Sequence, residues 1–138
     1  MRETYDLERF IRAQKSIYPQ ALAELRSGSK RSHWMWFIFP QIHGLGSSPM
    51  AVEFAISGLE EARAYLAHPV LGARLREATE AVLAVEGRSA SEIFGYPDDL
   101  KFHSSMTLFA SVEGEGIFAR ALRKYFDGAM DQATVART

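Results

Sequence analysis

The side chains best suited to chemistry gather in three stretches of this 138-residue chain. From Ser29 to Gln41 both tryptophans, Trp34 and Trp36, lie beside Lys30, Arg31, His33 and Gln41. A flat aromatic face next to fixed donors is how proteins hold a planar ring, by stacking and a few edge hydrogen bonds. Lys30, His33, Trp34, Trp36 and Gln41 are therefore candidate ligand-binding residues, although Trp34, Trp36, Phe37 and Phe39 would serve equally as core. The second stretch, Ile42 to Met50, is a glycine- and serine-rich turn. Gly44 and Gly46 would let backbone amides approach a phosphate or carboxylate, with Ser48 beside them. A Gly-x-Gly pair lacking a third glycine and a preceding strand also marks a plain tight connection. The third stretch is Phe94 to Met106. If it is helical from Asp98, then Asp98, Lys101 and Ser105 share a face at i, i+3 and i+7. An acid, an amine and a hydroxyl on a semi-apolar stripe form a candidate catalytic set, because desolvation drives a lysine toward its basic form. The alternative is an ordinary ion pair at a helix start. Gln14 is a fourth signal: its spacing from Leu7, Ile11, Tyr18 and Leu25 sets an amide on a buried stripe, where it needs partners. It would bond a ligand or tie its helix to the aromatic segment.

Other chemistries are excluded or unsupported. There are no cysteines, hence no disulfide, thiolate ligand or cysteine nucleophile, and a cytoplasmic address is expected. His33, His43, His68 and His103 show no metal-ligand spacing, so neither a metal nor a cofactor is expected. No Gly-x-Ser-x-Gly elbow occurs. A net charge of -1 provides no global field for nucleic acid or anionic lipid, and the longest apolar run, Trp34 to Pro40, is too short to span a bilayer. Met1 to Asp6 is charged and reads as no signal region. Oligomeric state is not legible.

The elements that must position these residues follow from periodicity and punctuation. Leu7, Phe10, Ile11, Tyr18, Leu22 and Leu25 predict a helix over 6–26, kinked or broken near Tyr18 by Pro19 and ended by Gly28. Trp34 to Phe39 fits a short core helix, chosen over a buried strand from its context. Ser57 and Glu60 have the spacing of a capping box for a helix through Leu66, and His68-Pro69 separates it from a long helix whose inner stripe is Leu71, Leu75, Ala78, Val82 and Val85, closed by Gly87. Ser89 and Glu92 repeat the box before a short turn of helix. Pro97-Asp98 opens a helix to about Val112, and Ile117 to Phe126 forms the last one before Gly128. Residues 132–138 are expected to fray. The expectation is an all-α, compact single-domain multihelical bundle of about six helices spanning residues 1–138, with no period-two strand pattern.

The runs Ser32-His33-Trp34-Met35-Trp36-Phe37-Ile38-Phe39-Pro40-Gln41 and Gly44-Leu45-Gly46-Ser47-Ser48 resemble the hallmark of a bacterial family of uncharacterised proteins. Tyr65 to Gly72, Phe94-Gly95, Asp98 to Lys101 and Ser104 to Phe109 extend the likeness over nearly the whole chain. The resemblance implies a compact, mainly helical domain and brings no established activity. Some members carry a calpastatin-like label, which suits an extended, disordered inhibitor rather than a chain with 47% hydrophobic residues. A distant likeness to the NADAR group implies a link to nucleotide and ADP-ribose metabolism. The leading expectation is a pocket protein that binds or processes a nucleotide or ADP-ribose-like small molecule, extending to N-glycosidic hydrolysis. It requires Asp98 and Lys101 to face the aromatic segment. The alternative is a non-catalytic protein-interaction module presenting the aromatics and the Phe118 to Phe126 helix to a partner. Single-strand nucleic-acid binding through Lys30, Arg31 and the tryptophans ranks third.

Overall fold

Pro19 splits the first predicted helix into two. In the computed structural model, which describes residues 5–138, α1 (Glu8–Gln14) stops before it and α2 (Tyr18–Ser27) starts with the proline in its first turn, where the missing N–H costs nothing. The expectation for Met1 to Asp6 falls mostly outside the described residues. The chain continues through α3 (Met35–Ile38), α4 (Pro49–Glu53), α5 (Leu59–Ala67), α6 (Leu71–Leu83), α7 (Ala90–Phe94), α8 (Asp98–Glu113), α9 (Ile117–Phe126) and α10 (Gln132–Val135). The all-α class holds, but the described residues form ten helices, not about six. The excess comes from the break at Pro19 and from single turns such as α4 and α10, each of four or five residues, which are too short to show an amphipathic period.

Helix α8 is the axis. Its buried residues include the unbroken run Ser104 to Phe109, and it packs on α5, α7, α9 and α10. A helix surrounded in this way cannot show a single apolar stripe. Phe102 on α8 stacks on Phe94 of α7 at 4.6 Å between ring centroids, and Phe39, just after α3, meets Phe102 and Phe94 edge-on at 5.1 and 5.9 Å. These rings seat the aromatic segment against the start of α8. Burying each phenylalanine is worth roughly 1.5–3 kcal/mol.

Caps and anchors set the helix ends. Ser89 and Glu92 form the expected capping box, with the Ser89 hydroxyl accepting from the Glu92 amide and Glu92 Oε1 from the Ser89 amide. The Ser57–Glu60 box does not form: Gly58 is the N-cap, and the Ser57 amide donates to Glu61 at 2.8 Å. Glu61 is drawn inward because it also pairs with Arg9 of α1 at 3.0 Å, so tertiary structure moved the acceptor by one residue. Helix α6 ends at Leu83, short of Gly87, and Lys124 of α9 donates to the carbonyls of Leu83 and of Val85 just beyond it, placing a cation at the helix C-terminus. Where fraying was expected, Asp131 caps α10 by accepting from the Thr134 amide, and Thr134 is fully buried. A lone parallel bridge, Ile42 with Ile56, pins the glycine turn to the chain leaving α4. No helix among the described residues is long and apolar enough to cross a membrane.

Helices α5 and α6 meet where Gly72 has no side chain, since a Cβ there would lie 2.1 Å from the Leu66 carbonyl oxygen. Backbone cannot yield to it as a flexible side chain would. Gly72→Ala is expected to cost about 1–3 kcal/mol and several degrees of melting temperature, despite alanine's better helix propensity. Thermal unfolding followed by circular dichroism checks this, and an unchanged or higher Tm would refute the close-packing account.

Candidate functional site

The site begins with a carboxylate held inside the protein. Glu24, near the end of α2, turns its carboxylate into the protein, and residues 31–34 close around it. The amides of Arg31 and Ser32 donate to Oε1 at 2.8 and 2.9 Å, the indole N–H of Trp34 donates to Oε1 at 3.0 Å, and the Ser32 hydroxyl donates to Oε2 at 2.6 Å. Burial alone would raise this carboxyl. The bonds from the Ser32 hydroxyl, the two amides and the indole outweigh that effect and hold it down to about 2. The loop so formed fixes Lys30, whose amide also donates to the Ile93 carbonyl at 2.8 Å.

Lys30 carries the arrangement to α8. Its ammonium lies 4.9 Å from the centroid of Trp34 and pairs with Asp98 Oδ2 at 2.8 Å, with its side chain only 7% exposed. Asp98 Oδ1 pairs in turn with Lys101 at 3.3 Å, and Lys101 sits 5.0 Å from the centroid of Trp36. Two cations over two indoles thus share one carboxylate. Each cation–π contact is worth about 0.5–2 kcal/mol, more as water is excluded. Asp98 and Lys101 do face the aromatic segment.

Beside Lys101 opens a cleft of about 420 Å³, lined on one side by Trp36 and Gln41, on another by Leu45 to Ser48, and on a third by α8. Pro97, Leu100, Lys101 and Ser104 form the α8 wall as an i, i+3, i+4, i+7 strip. The turn reaches the cleft by close packing: a Cβ on Gly46 would come within 2.9 Å of that of Ala51, and one on Gly44 (φ +89°) within 2.1 Å of the Arg137 guanidinium. Ser48 caps α4, accepting from the Ala51 amide at 3.2 Å. Asp131 and Ala133, from the start of α10, complete the lining.

Of the sequence-predicted residues, Trp36, Gln41, Gly46, Ser48 and Lys101 line this cleft. Asp98 and Lys30 stand behind Lys101 as its support. Trp34 is fully buried and offers no face to a ligand. Gln14 is buried elsewhere, donating to the Phe37 carbonyl and the Tyr65 hydroxyl and accepting from Arg74, so it ties α1 to the aromatic segment. Ser105 is fully buried with its hydroxyl unpartnered, turned off the cleft strip that Ser104 occupies. His33 is solvent-exposed outside the lining, and Gly44 lies under Arg137. The residues sequence reasoning missed are Glu24, Ser104 and Asp131. Asp131-x-x-Thr134 has the spacing of an N-cap, which was the available signal for α10. Among the described residues no group of three histidine or carboxylate side chains could hold a metal ion.

The description Protein of unknown function (DUF1810) matches residues 4–138. The chain belongs to the DUF1810 family. The resemblance read from Ser32 to Gln41 and its companion runs is thereby borne out as membership. This DUF1810 chain is also similar to a solved structure, the crystal structure of the conserved hypothetical protein Rv1873 from Mycobacterium tuberculosis at 1.38 Å. The two share 56% sequence identity over 97% of this chain and 96% of that one, with a TM-score of 0.95. No curated protein matches the chain.

Glu24 predicts a pH signature. A carboxyl held at about 2, against an ordinary value of 4.5, contributes stability that is fully present above 4.5 and is lost as pH falls toward 2. By linkage this is on the order of 3 kcal/mol. Glu24→Gln should be markedly less stable than wild type at pH 7, and the gap should narrow steadily between pH 4.5 and 2. Urea unfolding across that range checks it; a gap independent of pH would show that the carboxylate's charge is not what matters.

Proposed function

We propose that the cleft binds a small anionic molecule carrying a planar ring, of the nucleotide or ADP-ribose class. The observation that supports this best is convergence. The aromatic segment and the glycine turn that directly follows it are distant in sequence from the α8 cluster, yet each of the three contributes a polar or aromatic group to one cleft of about 420 Å³, within the usual range for small-molecule sites. In this reading Trp36 offers the ring contact, Gln41 an amide that can both donate and accept, and Lys101 the charge for a phosphate. Lysine has three donors, and the Asp98 contact leaves Lys101 donors to spare.

Asp98 and Lys30 act as positioning residues. A lysine held over an indole by a carboxylate has lost much of its rotamer freedom before a ligand arrives, which lowers the ordering cost of binding. N-glycosidic hydrolysis is the reaction class such a site can serve: the bond from the sugar to the ring nitrogen breaks, a cleft carboxylate faces the positive charge that develops on the sugar, and water adds to that carbon while its proton goes to the departing nitrogen. The interaction-module reading has less to stand on, because Trp34, Phe37, Phe39 and Phe118 are buried.

The test is ligand-induced thermal stabilisation with nucleotides, NAD, ADP-ribose and sugar phosphates. A ligand at a hundredfold its Kd should add about 2.7 kcal/mol, several degrees in Tm. Trp36→Ala and Lys101→Ala should remain folded and lose the shift, since both side chains reach the cleft. Absence of any shift in the wild type at millimolar ligand would overturn the proposal.

A further inference from the structure

We infer that Asp131 is the sugar-recognising group of the cleft, accepting a hydrogen bond from the 2′-hydroxyl of the ligand's ribose. This rests on reading the cleft as a ligand site, and names the part of the ligand that α10 selects.

The two oxygens of Asp131 are used unequally. Oδ2 takes the Ser104 hydroxyl at 3.0 Å, the Thr134 hydroxyl at 2.6 Å and the Thr134 amide at 3.2 Å. Oδ1 receives no hydrogen bond among the described residues, while the residue itself lines the cleft and is half-buried. The backbone is equally fixed, with the Asp131 amide donating to the Thr107 hydroxyl at 2.9 Å. One oxygen is therefore spent on Ser104 and on capping α10, and the other keeps its acceptor capacity in a residue that lines the cleft. A carboxylate reading a ribose hydroxyl is a common solution in nucleotide sites because the charge-assisted bond is strong and directional.

The surroundings narrow which donor fits. Ser104, which anchors Asp131, is one turn of α8 from Lys101, and both belong to the cleft wall. A cationic donor bound at Asp131 would stand near the Lys101 ammonium and be repelled, and a phosphate there would meet the carboxylate. A neutral hydroxyl suffers neither penalty. A phosphate on Lys101 and a hydroxyl on Asp131 correspond to the two ends of a ribose phosphate.

Isothermal titration calorimetry with four probes decides the matter: AMP, 2′-deoxy-AMP, ribose 5-phosphate and 2-deoxyribose 5-phosphate. The wild type should bind each ribo member about tenfold more tightly than its deoxy partner, as one charge-assisted hydrogen bond implies. Asp131→Ser keeps a good N-cap oxygen for α10 but has none left for the cleft, so it should fold normally and lose the preference. Thr134→Val weakens the cap while leaving Oδ1 in place, and should keep the preference. Equal binding of ribo and deoxy probes by the wild type, or a preference surviving in Asp131→Ser, would overturn the assignment while leaving the cleft a ligand site. Failure of all four probes to bind wild type would overturn both.

Discussion

Trp34 cannot be buried whole unless its indole N–H finds an acceptor, and Glu24 is that acceptor. The same carboxylate gathers two consecutive backbone amides and a serine hydroxyl, so a buried charge that would be costly alone becomes the point around which the chain after α2 turns. The cationic side of the site depends on this turn. It sets Lys30 over the indole, and from there Asp98 and Lys101 follow by direct contact.

The division of labour along that chain of contacts has a physical basis. Glu24 has its charge balanced by amide and hydroxyl dipoles, which leaves the cations to be shared out separately. Lys30 and Lys101 carry two positive charges against the single carboxylate of Asp98, and the more exposed cation is the one that reaches the cleft. A buried lysine is thus compensated by a neighbour, and the residual positive charge appears where solvent or a ligand can meet it. Asp131 on the opposing α10 keeps the cleft from being uniformly cationic.

Some of this was legible beforehand because it is local. The Ser89–Glu92 box, the break at Pro19 and the spans of α8 and α9 depend on residues within a few positions of each other, and they formed near where periodicity put them. The errors arose where a distant partner decided. Arg9 recruited Glu61 and displaced the box expected at Glu60. On α8, helical geometry made Asp98, Lys101 and Ser105 equivalent candidates, but the packing of the surrounding helices leaves Ser104 on the cleft and Ser105 buried. Gln14 was correctly read as a buried amide with partners, and one of its alternatives, tying α1 to the aromatic segment, is what its hydrogen bonds do.

By itself the sequence determined the helical class, the chemistry that cysteine-free composition excludes, the family motif runs and the three stretches where chemistry could reside, because these depend on residue type and short spacing. The tertiary structure alone decided that the three stretches meet in one cleft, that Trp36 rather than Trp34 faces it, and that α10 closes its far wall. Those outcomes turn on which of several similar side chains finds a buried partner: Trp34 is taken inward by Glu24, and Asp131 is held by Ser104. Spacing along a helix sets which residues could share a face, but only the packing of other helices decides which face is covered.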